Sequence, residues 1–304
     1  MLRRCVFLSM DSLEGYVCDD HLAIAPFRAQ GWAVDVVSWR NTEVSWSDYE
    51  AVIIRSPWDY MLHPDAFLAA LETIEASHAL LLNPLSMVRW NLDKTYLRDL
   101  EADGIPIVPT LWGTQLTAVA VEEAFSVFQT PEIILKPQIS GGAYHTYRIS
   151  DTAWKNEAAT FINTFPKRPF MLQPFLATVL TEGEYSLFYF GGQFSHAIQK
   201  RPKLADFRVQ EEHGGLIEAH QPNEALLAAG ERVMRTLKTP LLYARVDFIR
   251  LAQNQDQFLV MELELIEPSL YLRKDHASAI RFADAFTTYM KAEPHSTSSS
   301  SRSA

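Results

Sequence analysis

The stretch Phe258-Leu259-Val260-Met261-Glu262-Leu263-Glu264-Leu265-Ile266-Glu267-Pro268 carries three acids within and just after one apolar strand. A carboxylate in a buried strand is costly unless it is paired or holds a cation, so the pattern predicts positive charge beside it. A second apolar run, 241–249, contains Asp247, and the polar segment 252–257 between the runs predicts a hairpin turn. Folding about Asn254 would set Asp247 opposite Met261 or Glu262.

These acids predict a metal site. Side chains alternate along a strand, so Glu262 and Glu264 share a face, and Asp247 lies near them on the facing strand. Carboxylates without His or Cys nearby favour Mg²⁺, with Mn²⁺ as an alternative. The other interpretation is a half-exposed hairpin with solvated acids. Whether Glu264 or Glu267 completes the site stays open.

The pattern of strands and helices changes along the chain. Residues 1 to about 85 alternate strand and helix, which predicts a small parallel sheet. One helix is expected from about 86 to 102. After about residue 130 the strands come in neighbouring pairs, which predicts antiparallel sheets. The expected fold is therefore α/β followed by α+β.

Composition narrows the class of protein. The 304 residues include 27 Lys and Arg against 37 Asp and Glu, a net charge of -10, which argues against sequence-independent binding of nucleic acid. The first apolar run is too short for a signal peptide or membrane span, and two cysteines give no disulfide framework. We therefore expect a cytoplasmic protein with no membrane partner; self-association stays open. Residues 293–304 are predicted to be disordered.

A phosphate group is the usual companion of a carboxylate-held Mg²⁺. Lys136 ends a strand, and the following Ser140-Gly141-Gly142 turn would let backbone N–H groups approach an anion. Further basic residues in the middle of the chain are Lys94, Lys200, Arg201 and Arg208. Together they are compatible with one cationic pocket. An ordinary glycine turn and solvated basic side chains are the alternative.

In their order along the chain, several short segments resemble the ATP-grasp superfamily of carboxylate–amine ligases, in particular the branch of glutathione synthetase and the ribosomal-protein glutamate ligase. The segments are Asn91-Leu92-Asp93-Lys94, 104–110, 134–137, Leu172-Gln173-Pro174-Phe175, 206–208 with 214–215, Arg245-Val246-Asp247 and Glu262-Leu263-Glu264. The resemblance covers roughly residues 83–290. It implies an ATP-grasp fold behind a small parallel-sheet domain, divided as 1–85, 86–175 and 176–292.

The resemblance implies a role for each matching position. Residues expected to bind ATP are Lys94 and Lys136 at the phosphates, Ser140, Gly141 and Gly142 as a covering loop, Gln173, Pro174, Phe175 and Leu176 as the adenine-reading hinge, and Glu184 near the ribose. Residues expected by the transferred phosphate and the acyl substrate are Lys200, Arg201 and Arg208. Asp247 and Glu262 would bind Mg²⁺. Where the family usually has Glu-x-Asn, this chain has Glu262-Leu263-Glu264, which adds Glu264 as a candidate ligand.

Four stretches are similar to a narrower group, the cyclo-ligase that closes O-ureidoserine to cycloserine. They are residues 56–60, 89–94, 181–187 and 262–269. The implied chemistry is a two-step ligation, in which a substrate carboxylate takes the γ-phosphate of ATP and an amine then displaces phosphate. The reaction would form an amide bond to a small amino-acid-type substrate, either between two molecules or within one.

The substrate side is expected at the end of a strand in the first domain. Ligands bind at the carboxyl ends of strands in open α/β sheets, so Arg55 is predicted to bind a substrate carboxylate and Asp59 an ammonium group. A structural turn anchored by Trp58 is the alternative. Glu267 and Ser269 are further candidates for substrate contact.

Two other functions stay open. A homologue that binds ATP as a regulator would keep the nucleotide residues without ligase activity. A small-molecule kinase would share the phosphoryl-transfer step and stop there. The sequence does not identify the carboxylate or the amine.

Overall fold

Three β-sheets follow one another along the chain in the computed structural model, which describes residues 2–165, 167–253 and 255–292. One sheet is parallel and the other two are antiparallel. This mixed architecture confirms the predicted fold class. The predicted boundaries at residues 85 and 175 stay predictions.

The first sheet is parallel and built from apolar strands. Its elements are β1 (Arg3–Ser9), α1 (His21–Ala29), β2 (Trp32–Ser38), β3 (Ala51–Ser56), α2 (Pro64–Glu75) and β4 (Leu80–Leu82). The strand order is β2-β1-β3-β4. Strand β3 is buried at every position, as expected for a central strand covered on both faces. On α2 the residues that face the core are Phe67, Leu71 and Ile74, so the helix is amphipathic.

The predicted single helix 86–102 is wrong. The chain forms α3 (Leu85–Asn91) and α4 (Tyr96–Ala102), separated by a turn. Within the turn the Asp93 side chain accepts a hydrogen bond from the Thr95 N–H at 2.8 Å. The Lys94 N–H donates to the Gln138 carbonyl at 3.1 Å instead of to the preceding helical turn. The break therefore depends on a partner far along the chain.

The second sheet is antiparallel, with helices on one face. Its elements are β5 (Leu111–Gly113), α5 (Ala118–Phe128), β6 (Glu132–Pro137), β7 (Tyr147–Ser150), α6 (Asp151–Thr164) and β8 (Phe170–Pro174). The order is β5-β8-β6-β7. Side-chain oxygens of Thr117 and Ser150 cap the first turns of α5 and α6. Strand β7 and helix α6 were not predicted.

The third sheet carries the acidic hairpin. Its elements are α7 (Thr178–Thr181), β9 (Glu184–Phe190), β10 (Gln193–Arg201), β11 (Leu216–His220), α8 (Glu224–Thr236), β12 (Tyr243–Arg250) and β13 (Phe258–Glu264), in the strand order β11-β10-β9-β12-β13. Asp247 pairs with Glu262, which confirms the predicted register. The predicted turn centre, Asn254, lies outside the described residues.

The last helix, α9 (Ser278–Ala292), returns to the first sheet. Phe286 of α9 stacks on Phe27 of α1 with ring centroids 4.9 Å apart, and Phe282 joins the same cluster beside Phe7. This contact ties the C-terminal part of the chain to the N-terminal sheet. No helix within the described ranges has the length and apolar character needed to cross a membrane. The tail predicted to be disordered, 293–304, lies outside them.

Candidate active site

A cavity of about 520 Å³ lies where the three sheets meet. It collects nearly all the residues that the sequence indicated. The predicted residues that line it are Asp59, Lys94, Lys136, Ser140, Gly141, Gly142, Gln173, Pro174, Phe175, Leu176, Glu184, Lys200, Arg208, Asp247, Glu262, Glu264, Glu267 and Ser269. Arg55 and Arg201 do not line it. The structure shows where these residues lie, and their roles stay predictions.

Lys94 enters the cavity because of the helix break. Its ammonium group donates to the Ser140 carbonyl in the glycine loop and lies 3.1 Å from the Glu262 carboxylate. In a continuous helix the Lys94 side chain would not contact both the glycine loop and the acidic strand. The turn between α3 and α4 thus directs this charge towards the loop and the acidic strand.

Lys136 is a buried cation without an acidic contact. It lies on β6 and is 8% exposed. Burial, together with the Lys94 charge, lowers the pKa of Lys136, although Glu262 acts in the opposite direction. In the part of the chain that the structure describes, no carboxylate lies within 4.0 Å of its ammonium group. A buried charge of this kind is costly unless a ligand neutralises it.

Asp247 lies between two cations. The Lys200 ammonium group is 2.8 Å from its carboxylate, and the Arg245 guanidinium is 3.0 Å away. Burial alone would raise the pKa of Asp247, but Arg245 and Lys200 lower it well below the ordinary range. Lys200 also lies 3.1 Å from Glu184. Burial opposes the Lys200 charge, yet Asp247 and Glu184 raise the pKa of Lys200 above its usual value.

The acids on β13 and just after it differ in their neighbours. Burial would raise the pKa of Glu262, but the Lys94 and Lys136 charges lower it. Glu264 pairs with Arg245, yet burial and the other acids raise its pKa to about 8. Burial raises the pKa of Glu267 to about 7. These carboxylates therefore ionise under different conditions.

Arg245 is a site residue to which the sequence analysis gave no role. It shares a face of β12 with Asp247, two positions away, and contacts both Asp247 and Glu264. Side-chain alternation could have identified it, because a residue two positions from a cavity acid points to the same side.

An apolar wall faces the charged one. The residues that form it are Val108, Phe175, Leu176, Val179, Val209, Ile249 and Met261, and Leu259 belongs to the same apolar cluster without lining the cavity. Most of these residues come from separate segments with no common motif, so the sequence offered no pattern to find them. Only Phe175 and Leu176 were among the predicted residues.

Two predicted site residues occupy other positions. Arg55 has no exposed surface, and its guanidinium donates to Asp20 at 3.0 Å and to the Pro268 carbonyl at 2.8 Å. It joins the first sheet to the segment after β13, so the predicted contact with substrate is replaced by a structural role. Arg201 follows Lys200 on β10 and therefore points to the opposite face, where it pairs with Glu218 at the surface.

Asp59 lies at the cavity but is already engaged. Its carboxylate accepts a hydrogen bond from the Trp39 indole at 2.8 Å and pairs with Arg40. An acid with two such partners offers little free charge to a substrate ammonium group. Arg208 also has an acidic partner, Asp206, at 2.9 Å.

The donor set fits a Mg²⁺ ion that is shared with phosphate. Among the described residues, no three His, Cys, Asp or Glu side chains form a group that could hold a metal by themselves. Asp247 and Glu262 nevertheless form a cross-strand pair at the cavity, and both offer hard oxygen atoms. Mg²⁺ usually takes one or two carboxylates and completes its shell with phosphate oxygens and water. A cage made by protein alone is not required.

Comparison with known proteins gives similarity over most of the chain. A family model for the N-terminal domain of D-cycloserine synthetase DcsG matches residues 5–83. The cycloserine biosynthesis protein DcsG of Streptomyces lavendulae is 32% identical over 287 residues, which cover 87% of this chain and 91% of that protein. The crystal structure of D-cycloserine synthetase DcsG superposes with a TM-score of 0.82 at 27% identity, covering 94% of this chain and 99% of that one.

More distant structures share the fold. A RimK domain ATP-grasp protein from Sphaerobacter thermophilus has a TM-score of 0.69 at 17% identity, covering 93% of this chain and 98% of its own. D-alanine–D-alanine ligase from Bacillus anthracis has a TM-score of 0.67 at 13% identity, covering 95% and 97%. At these identities the likeness concerns the fold alone, and it agrees with the arrangement of sheets described above.

Proposed function

The chain belongs to the family of ATP-grasp ligases that includes the cycloserine biosynthesis protein DcsG, and on that premise we propose that it closes O-ureidoserine to cycloserine. Members of this family are ADP-forming enzymes that make carbon–nitrogen bonds. Family membership therefore favours a ligase over an ATP-binding regulator or a small-molecule kinase. The observation that carries the finer proposal is that similarity to DcsG includes the N-terminal domain. Residues 58–62 of that domain line the cavity.

We propose that the charged wall holds the phosphates of ATP and the apolar wall holds its base. Lys136 supports this arrangement because it is a buried cation with no acidic contact among the described residues, and phosphate oxygens would supply the missing charge. Lys94 already contacts the glycine loop, so a phosphate bound there would lie beneath Ser140–Gly142. The hinge residues 173–176 line the same cavity, and Phe175 and Leu176 pack in the apolar wall.

We propose Asp247 and Glu262 as Mg²⁺ ligands, with Glu264 as a third. When bound, the metal would neutralise charge on the phosphate oxygens during transfer. Mn²⁺ has the same preference for oxygen ligands and is expected to substitute. Lys200 and Arg245, which hold Asp247 in place, would keep its carboxylate oriented and ionised.

In the proposed reaction the residues of the chain position the substrates and neutralise the charge on the transferred phosphate. The substrate carboxylate attacks the γ-phosphate, the bond to the bridging oxygen of ADP breaks, and an acyl phosphate forms. Lys136, Lys200 and Arg208 would stabilise the charge on the transferred group. The substrate nitrogen bonded to the side-chain oxygen then attacks the acyl carbon and phosphate leaves, giving a ring that still carries the carbamoyl group. Water then hydrolyses this group, carbon dioxide and ammonia leave, and cycloserine remains. Holding both ends of one molecule in a cavity of about 520 Å³ favours ring closure over attack by water.

The test is ADP release with Mg²⁺, ATP and O-ureidoserine, with the product identified by mass spectrometry. We expect release that requires O-ureidoserine and matches the cycloserine formed. Asp247→Asn is expected to lower the rate by roughly a hundredfold or more, because a charged group at the reacting phosphates is removed. Asp35→Asn, an exposed acid paired with Arg4, is the matched control and should match the parent. ADP release without a ring product would count against the proposal.

A further inference from the structure

Most of the acids that line the cavity have a cation of the protein within 4.0 Å. The pairs include Glu262 with Lys94, Glu264 and Asp247 with Arg245, Glu184 with Lys200, and Asp59 with Arg40. Such pairing is what a carboxylate in a partly buried position requires. An acid that departs from this rule at the same cavity needs a different source of positive charge.

Glu267 is such an acid, and unlike Glu212, which also lines the cavity without an ion pair but is exposed to solvent, Glu267 is only partly exposed. Its side chain lines the cavity, and within the described part of the chain no Lys, Arg or His nitrogen lies within 4.0 Å of it. Its polar neighbour is the hydroxyl group of Tyr60, which carries no charge. Lys94 and Arg245 act on the Glu267 carboxylate only from beyond 4.0 Å. A carboxylate in a cavity wall with no cation of the protein in direct contact is suited to a positively charged group that arrives with the ligand.

The surroundings hold Glu267 in a fixed position. The Trp58 indole N–H donates to the Glu267 backbone carbonyl at 2.9 Å, so residue 267 is held by the main chain as well as by Tyr60. The ring of Tyr16 packs against Trp58 with centroids 5.5 Å apart. All three aromatic residues line the same cavity. Aromatic faces next to a carboxylate are a recurring environment for substituted ammonium groups.

We infer that Glu267 binds the ammonium group of an α-amino acid substrate, with Tyr60 as the residue that positions its carboxylate. The inference deepens the proposed ligase function and rests on it. It transfers to Glu267 the role that the sequence suggested for Asp59, whose carboxylate is engaged by Trp39 and Arg40. It also gives the N-terminal domain a part in substrate choice, since Trp58 and Tyr60 both lie in the segment that matches the DcsG domain model.

The test compares two ligands that differ by one group. O-ureidoserine carries the α-ammonium, and 3-(ureidooxy)propanoate has hydrogen in its place. Binding of each is measured by isothermal titration calorimetry in the presence of Mg²⁺ and ADP, for the parent, Glu267→Gln and Tyr60→Phe. Glu218→Gln, an exposed acid outside the cavity, is the matched control. Glutamine keeps the shape of glutamate, and thermal melting checks that each variant folds.

For the parent we expect the amino compound to bind at least about tenfold more tightly than its analogue, the usual worth of a charge-assisted hydrogen bond. Glu267→Gln should abolish that preference without weakening the analogue, and Tyr60→Phe should reduce the preference only in part. The control should keep the whole preference. Equal binding of the two compounds by the parent, a preference that survives in Glu267→Gln, or no binding of either compound would overturn the inference.

Failure of the proposed function has a separate readout. If the parent binds the amino compound through Glu267 but releases no ADP with ATP, the ammonium site stands and the ligase substrate is a different amino acid. If ADP release is normal and the two compounds bind alike, the reaction stands and the ammonium site is wrong.

Discussion

Arg55 was predicted to bind substrate, whereas its contacts in the structure indicate a structural role, and the two roles can be tested against each other. Its guanidinium is fully buried and donates to the Asp20 carboxylate at 3.0 and 3.1 Å and to the Pro268 carbonyl at 2.8 Å. Burial opposes the charge, but Asp20 and then Tyr243 raise the pKa of Arg55 above its ordinary value, so it stays a cation. Replacement by methionine would fill the space and leave the Asp20 carboxylate without its partner.

Removing one partner of a buried ion pair costs about 3–5 kcal/mol. Each kcal/mol lowers the melting midpoint of a chain of 150–250 residues by roughly 2–4 °C, and a chain of 304 residues falls at the lower end, about 2 °C. Arg55→Met should therefore melt about 6–10 °C below the parent. The assay is differential scanning calorimetry at neutral pH. Arg89→Met, which breaks a surface pair with Glu72, is the matched control and should shift the midpoint by at most about 2 °C.

The same variant separates the two roles by kinetics. At a temperature where Arg55→Met is still folded, its KM for the carboxylate substrate should stay within about threefold of the parent. Loss of a bidentate contact with the substrate would instead weaken binding by roughly a hundredfold, or about 3 kcal/mol. An unchanged melting midpoint together with a large rise in KM would refute the structural role and restore the original prediction.

Three further predictions concern charge, pH and backbone geometry. Lys136→Met should lower the rate of ADP release at least about a hundredfold, because a buried phosphate partner is lost, whereas Lys155→Met at an exposed pair should not change it. Burial lowers the pKa of His196 from 6.5 to about 4, so the unfolded chain binds a proton first as the pH falls. The parent should therefore lose roughly 3 kcal/mol of stability between pH 6.5 and 4 relative to His196→Gln, and an equal dependence on pH in urea unfolding would contradict this. Gly183 has a positive φ, and Gly183→Ala places a methyl group against a backbone carbonyl of β10. This variant should destabilise the chain more than Gly104→Ala, where φ is also positive but the space around the new methyl group is open. Equal melting midpoints of the two variants would argue against the close contact.

Sequence reasoning succeeded where interactions are local. The acidic hairpin was predictable because two apolar runs flank one polar turn, and the turn length sets Asp247 opposite Met261 or Glu262. A register shift between Asp247 and Phe248, which the sequence did not indicate, selects Glu262. It failed at the helix break, because the hydrogen bond donated by the Lys94 N–H is accepted by the carbonyl of Gln138, a residue just after β6 and distant in sequence. It also failed at Arg55, because the rule for strand ends gives the edge of the sheet but not the direction of a side chain. Helix α9, far along the chain, contributes Phe282 to the cover over that guanidinium.

The acidic strand β13 shows that contacts with distant segments also limited what the sequence could predict about the site. Carboxylates in an apolar strand require positive charge, but the requirement is met equally by a metal ion and by basic side chains from distant segments. Here Lys94, Lys200 and Arg245 are already in contact with the acids, so the strand alone could not reveal which source the protein uses. A metal ion and these basic side chains can both serve the acids, because ATP adds negative charge. Its phosphates would compete for the lysines and leave carboxylate oxygens for Mg²⁺, so nucleotide and metal are expected to bind more tightly together than either does alone.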